Sequence, residues 1–420
     1  MRFDMASWLT ARRLRAHGII LALCLWSVFF WNVTAPGLRD RSGNLKGTDF
    51  LHLYTLGLLA LEHNGADLYD MQAQSALAAR RVPQAAGIRY LPLYPPQVSI
   101  FFTPLARLPY AAALTVWLVF NSLLYAACVY AIWRACPNLH DYKSTVVIAA
   151  AAFPAFWHLL LWGQTSALAL VCFTLAFFAF RAQREFLAGV AIGCLIFKPQ
   201  LALAAVIVFV VTLNWRLVAG ALLSAAAQLA AGWGYYGTAP MRMWARVLYG
   251  LAGQLPLLEP RLYQTHCLRT FWSMLIPWPV ASLALFIATA LLVAALTVGC
   301  WRSAMPLALR YSALLLSTVL LAPHLTVYDL VLLAPAFLLL ANCIVAQPQS
   351  AYTSHLELAL YLAFVLPLLG PLARWTHFQL SVPAMAAALF WIWRLGENHR
   401  GGTAVLSTGS AQTPRGDGIA

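Results

Sequence analysis

The chain is a succession of long apolar runs broken by short polar punctuation. From Gly18 to Arg394, stretches of near membrane-spanning length recur, and they are continuously apolar rather than alternating. Alternation would mark the strands of a barrel, whereas unbroken runs mark helices. In lipid only a helix or a closed barrel satisfies every backbone polar group internally. The pattern therefore predicts an all-α, polytopic integral membrane fold. Spans fall at 19–34, 111–133, 145–162, 165–181, 186–197, 199–213, 217–235, 276–300, 307–322, 326–344, 355–371 and 378–394, about 10–12 transmembrane helices. Several are short, since about 20 residues are needed to cross a hydrocarbon core. The pair meeting at Lys198-Pro199 reads as two half-helices inside the membrane, because Pro199 has no N–H to continue the ladder.

The segments between spans predict further elements. In 48–82, Phe50, Leu51, Tyr54, Leu58, Leu59 and Leu61 recur at near-helical spacing, which predicts an amphipathic helix lying on the membrane surface. A second helix is expected after Asp70, which would cap it. Tyr94-Pro95-Pro96 predicts a stiff extended turn. Residues 1–395 read as one transmembrane domain, and 396–420, rich in Gly, Ser and Thr, as a disordered cytoplasmic tail.

Composition sharpens this picture. The chain is 62% hydrophobic and 10% charged, with a mean hydropathy of +0.74, against about 45–50% and about 25% in soluble domains. The net charge of +14 would suggest nucleic acid in a soluble protein. Here it reads as orientation, with Lys and Arg held on the cytoplasmic side. Arg12, Arg13 and Arg15 precede the first span, and Thr34-Ala35-Pro36 is a poor cleavage site, so the N-terminus reads as an uncleaved, cytoplasmic signal anchor. With alternation from there, Arg134, Lys143, Arg181, Arg184, Arg216, Arg302, Arg394 and Arg400 fall inside. The eight Cys lie scattered with no C-x-x-C, as small hydrophobes.

The same parity puts Asp49, Gln164, Lys198, Arg261, Arg269, His324 and Asp329 at the outer ends of their helices. With only 13 Asp and Glu in 420 residues, an acid here must stay in water, pair, or do chemistry. Asp49, in Gly47-Thr48-Asp49-Phe50, reads either as a helix cap or as a carboxylate base at a cavity mouth. Lys198 beside a helix break suits a phosphate; the plainer alternative is snorkelling to the interface. His324, Tyr328 and Asp329 are spaced to share one helix face, with Asp329 either capping that helix or orienting His324. Gln164 tips a polar hairpin. Arg261 and Arg269 suit phosphate or headgroups. No H-x-x-H or paired acid cluster occurs, so neither a metal nor a cofactor is expected.

In order along the chain, Gly47-Thr48-Asp49-Phe50 with Tyr54 and Leu68-Tyr69-Asp70, Tyr94-Pro95-Pro96 with Pro104-Leu105, Gly163-Gln164, Lys198-Pro199-Gln200, and His324 with Tyr328-Asp329 resemble glycosyltransferase family 87. These are polytopic GT-C transferases, often α-mannosyltransferases of the bacterial envelope. The chain departs from the pattern at Leu53, where the family usually has a second Tyr beside Tyr54. It departs again at Gln264-Thr265-His266-Cys267, where an Asn-x-Ser motif is usual. The resemblance implies an inverting, metal-independent transfer of a sugar from a polyprenyl-phosphate donor to a glycolipid or polysaccharide acceptor, at the periplasmic face of the inner membrane. Asp49 would be the general base; Lys198, Arg269 and His324 would bind the donor phosphate; Gln164, Tyr54, Tyr328 and Asp329 would position substrate. Two other readings stay open on the sequence: a transporter or flippase for a phosphorylated lipid, whose pathway would also need intramembrane charge, and a non-catalytic envelope assembly protein.

Overall fold

A computed structural model describes residues 9–254, 259, 261–347 and 350–408 of the chain. Among these the fold is all-α, with two isolated β-bridges and no strand. The helices are α1 (Ala11–Val33), α2 (Thr48–Leu61), α3 (Met71–Arg81), α4 (Gln97–Ala106), α5 (Tyr110–Arg134), α6 (Lys143–Ala151), α7 (Pro154–Trp162), α8 (Ser166–Arg181), α9 (Glu185–Gly193) and α10 (Leu203–Val211). They continue with α11 (Trp215–Tyr236), α12 (Thr238–Tyr249), α13 (Leu268–Leu275), α14 (Pro279–Arg302), α15 (Leu307–Leu321), α16 (Ala334–Ala346), α17 (Ala351–Val365), α18 (Ala373–Thr376) and α19 (Ser381–Thr408).

Six of the described helical segments are long and apolar enough to cross a membrane, and a seventh is the pair Pro137–Ala151 and Pro154–Trp162, bent by 41°. Shorter apolar helices, α8, α10 and α15 among them, pack between these. The long helices turn large apolar side chains outward: Ile20, Leu23, Leu123, Leu222 and Leu291 are all more than half exposed. In water that surface would be costly; against acyl chains it is the matching solvent. The chain is a multi-pass membrane protein.

Small residues set the closest helix crossing. A Cβ on Gly189 would lie 2.0 Å from the Leu217 carbonyl oxygen, and one on Gly220 would lie 2.2 Å from that of Phe186. Thus α9 and α11 touch backbone to backbone, as small residues permit inside lipid. This clamp fixes the chain just before the expected helix break. The break is there: 3₁₀ turns run Cys194–Phe197 and Pro199–Ala202, with Lys198 between them out of helical conformation (φ −137°, ψ 68°).

Two expectations about local structure change. Helix α2 does not lie on the surface with one face in water; from Phe50 to Ala60 every residue is buried. Its polar positions are too few to make a wet face, and a helix apolar all round belongs in a core. The last helix runs on to Thr408, into the segment expected to be disordered. Its start is anchored by buried Val382, Met385, Leu389 and Ile392, and extending a nucleated helix is cheap. Residues 409–420 of that expected tail lie outside the described residues. Asp70 does cap α3, accepting from the backbone N–H of Gln72 at 2.7 Å and of Ala73 at 3.1 Å.

Candidate active site

Two left-handed glycines bring the first polar pair together. Gly47 (φ 63°) precedes α2, and Gly163 (φ 70°) ends α7. A Cβ on Gly163 would lie 2.8 Å from the Phe50 Cβ and 3.7 Å from the Gly47 Cα, so the α7 end packs directly on the α2 start. The Trp117 indole N–H donates to the Gly163 carbonyl at 2.8 Å and holds the turn there. Asp49 lies one residue into α2, outside the spanning helices, and Gln164 follows Gly163. The Gln164 amide donates to Asp49 Oδ2 at 2.7 Å. Gln164 Oε1 accepts from the Thr165 backbone N–H at 3.2 Å, with the Tyr94 hydroxyl at 3.4 Å.

The helix-cap reading of Asp49 does not hold. The cap position of α2 is Gly47, with no side-chain capping bond, and Thr48 Oγ1 donates back to the Leu45 carbonyl. Asp49 caps nothing. Its carboxyl is raised from the usual range to about 6 by burial, against the lowering effects of the Gln164 hydrogen bond and the Lys198 charge. Lys198, Asp329 and His324 all lie near enough to act on it electrostatically.

Next to this pair is a buried ionic cluster. Lys198 Nζ donates to Asp329 Oδ1 at 2.8 Å and to Ser166 Oγ at 3.2 Å, and the Ser166 hydroxyl donates to the same Asp329 oxygen. Both charged side chains are buried. The ammonium also lies 5.1 Å from the centre of the Tyr328 ring. Snorkelling is thus excluded; Lys198 points inward to a partner.

His324 and Asp329 do not share a helix face. The helix begins only at Val327, as a 3₁₀ helix over Val327–Leu333, so Asp329 in its first turn meets Lys198, while His324 stays in the turn before it and faces the segment leading into α13. There His324 Nδ1 meets Glu259 Oε1 at 2.7 Å, and Arg269 pairs with the other Glu259 oxygen while donating to the Pro323 carbonyl. Burial alone would raise the Glu259 carboxyl, but the hydrogen bonds and charges of His324 and Arg269 outweigh it and lower it. The His266 N–H donates to the Leu325 carbonyl at 3.0 Å, and Thr265 bridges to Thr326. The segment leading into α13 is thereby stitched to the His324 turn.

Tyr54 stands apart from these clusters. Its hydroxyl donates to the Leu108 carbonyl at 2.8 Å and its ring packs edge-on against Tyr110. Five residues after Asp49, it points to another side of α2, where it ties the helix to the turn before α5. Arg261 is exposed, and its side chain has no hydrogen bond or ion pair among the described residues. Neither Glu259 nor Ser166 was given a role from the sequence. Glu259 carried the same signal as Asp49, a lone acid in an acid-poor chain; Ser166 belongs to the Gly163-Gln164-Thr165-Ser166 turn that resembles the family's pattern. Among the described residues, no three His, Cys, Asp or Glu side chains converge as metal ligands.

The fold and this cluster define a multi-pass membrane protein with a charged, partly buried site at one end of its helical bundle. The chain matches glycosyltransferase family 87 over residues 93–323 and belongs to that family. It is a glycosyltransferase, using a sugar donor and an acceptor. No curated protein and no solved structure matches it. The matched region holds Gln164, Lys198 and Arg269; Asp49 and Asp329 lie outside it, so their roles are argued from geometry.

Proposed function

We propose that this glycosyltransferase moves a hexose, foremost mannose, from a polyprenyl-phosphate donor to a hydroxyl of an envelope glycolipid or polysaccharide, with inversion. The site would face the periplasm of a bacterial inner membrane, with the N-terminus in the cytoplasm. One observation carries the reading: Asp49 is half-buried, oriented through Oδ2 by Gln164, and has no bond to Oδ1 among the described residues. A carboxylate raised to about 6 is a stronger base than a free one and is still mostly ionised at neutral pH. Oδ1 takes the acceptor proton as the hydroxyl oxygen bonds to the anomeric carbon. The bond from that carbon to the phosphate oxygen breaks, and the lipid phosphate leaves with the bonding pair. Lys198 would stabilise that departing charge, held in place by Asp329 and Ser166 and by the Tyr328 ring. Arg269 and His324, both fixed by Glu259, would lie at the phosphate's far side. Tyr54 would act through packing of α2 and not by touching substrate.

The test is donor choice. Purified protein in nanodiscs is given polyprenyl-phosphate mannose or a mannose nucleotide, with a panel of envelope glycolipids as acceptors. Transfer from the lipid donor alone is expected. Transfer from the nucleotide alone would overturn the donor class, and retention of anomeric configuration in the product would overturn the single displacement.

A further inference from the structure

A polar cavity lies at the other end of the bundle from Asp49 and Lys198. It is lined by Gln183 and Glu185 from the turn between α8 and α9, Asn214 before α11, Trp301 at the end of α14 and Arg310 in α15, and has about 460 Å³ of space, part of it open to the surface. Helix α8 is 16 residues long, so about 24 Å separates this cavity from Ser166 in the site above. The two do not communicate through one pocket.

Its groups are unspent. Arg310 Nε is buried without a hydrogen-bond partner. Among the described residues, the same guanidinium donates to the Trp301 carbonyl at 3.5 Å and lies 5.5 Å from the centre of the Trp301 ring. A buried donor left open is costly unless something fills it. The Glu185 carboxylate has no ion-pair partner among the described residues. Asn214 uses its oxygen to cap α11, accepting from the Leu217 N–H at 3.3 Å, and its amide N–H groups have no partner among the described residues. A cation and an anion thus line one cavity without pairing with each other. Exposed Arg181, Arg184, Arg216 and Arg302 stand around the same end of the bundle.

We infer that this cavity binds the headgroup of a phospholipid carrying both a phosphate and a primary ammonium, with the phosphate on Arg310 and Asn214 and the ammonium on Glu185. A solely anionic headgroup would leave Glu185 facing a like charge. A quaternary ammonium would offer Glu185 no N–H donor. The arginine collar gathers phosphate-bearing lipids at this face.

Delipidated protein in detergent, titrated by native mass spectrometry with phosphatidylethanolamine, phosphatidylcholine and phosphatidylglycerol of matched acyl chains, tests this. Phosphatidylethanolamine should bind tightest. Arg310→Gln should weaken it about tenfold, the loss of one charge-assisted contact, while Arg310→Lys retains most of it. Glu185→Gln, on a half-buried rim residue whose loss does not threaten the fold, should abolish the preference over phosphatidylglycerol. Equal binding of the three lipids overturns the inference, as does binding that ignores both substitutions in folded protein.

Discussion

Replacing Asp49 with Asn separates a base from a structural carboxylate, because the two roles move stability and activity in opposite directions. Asn keeps the acceptor oxygen for the Gln164 amide at 2.7 Å and keeps the side-chain volume, so the packing of α2 on the Gly163 turn is undisturbed. What it removes is a charge whose folded pKa of about 6 stands above the ordinary 3.8. That rise is worth about 3 kcal/mol at ~1.4 kcal/mol per pH unit. With the folded pKa above the unfolded one, the ionised carboxylate disfavours the fold fully above pH 6. The penalty shrinks as pH falls and is gone below about 4, where both states hold the proton. Asp49→Asn should therefore melt above wild type at pH 7.5, by up to about 3 kcal/mol, and match it near pH 4. Transfer from the lipid donor should fall about 10²–10⁴-fold, the usual worth of a general base. In the wild type, kcat/KM should drop as pH falls through about 6, as the base gains its proton. Thermal melts in nanodiscs and initial-rate transfer assays read all three. A mutant that melts lower than wild type at pH 7.5, or that transfers sugar within about threefold of it, would refute the assignment.

Lys198→Met leaves Asp329 buried without its cation and should cost about 3–5 kcal/mol; the double variant Lys198→Met, Asp329→Leu should refold without recovering transfer, read by melts and by activity. Gly163→Ala forces a left-handed conformation worth ~1–2 kcal/mol on an L residue and a clash with Phe50, so it should lower both melting temperature and turnover by displacing Gln164. Arg261→Gln should raise the donor KM with little change in kcat, because this exposed arginine, unlike Arg269, is not tied to Glu259; an unchanged KM removes it from donor binding. EDTA should leave turnover intact, and activity that requires added Mn²⁺ or Mg²⁺ would contradict a phosphate handled by side chains alone.

The fold was legible because lipid imposes one rule on every span. Each predicted run matches an observed helical segment, including the break at Lys198, where Pro199 announces it. Convergence of Asp49, Gln164, Lys198, His324 and Asp329 at one end was also readable, since parity and arginine placement need no tertiary information. What the sequence could not supply was which polar group meets which. The helix starts at Val327 and leaves His324 in the turn before it, so His324 and Asp329 meet different partners, and where a helix starts depends on packing. The burial of α2 was missed for a related reason: spacing of apolar residues shows a helix face, but only its neighbours show whether the opposite face is covered as well. Glu259 was readable and passed over, although scarcity of acids had already singled out Asp49.

The pairing of Lys198 with Asp329 looks at first like an obstacle to phosphate binding, since a neutralised lysine has little to offer an anion. The proposed reaction removes the difficulty. The donor is a phosphodiester and the product a monoester, so the phosphate gains about one negative charge as Asp49 gains a proton and loses one. Net charge in the site is constant; one unit migrates from α2 toward the phosphate. A cation is needed that feels both ends of that path and does not move. Lys198 acts on Asp49 electrostatically, and its bonds to Asp329 and Ser166 hold it still. Fixed partners remove the reorganisation that a free lysine would need as charge shifts. On this argument Asp329 is the residue that makes Lys198 useful in the transition state, and its loss would be felt in kcat before KM.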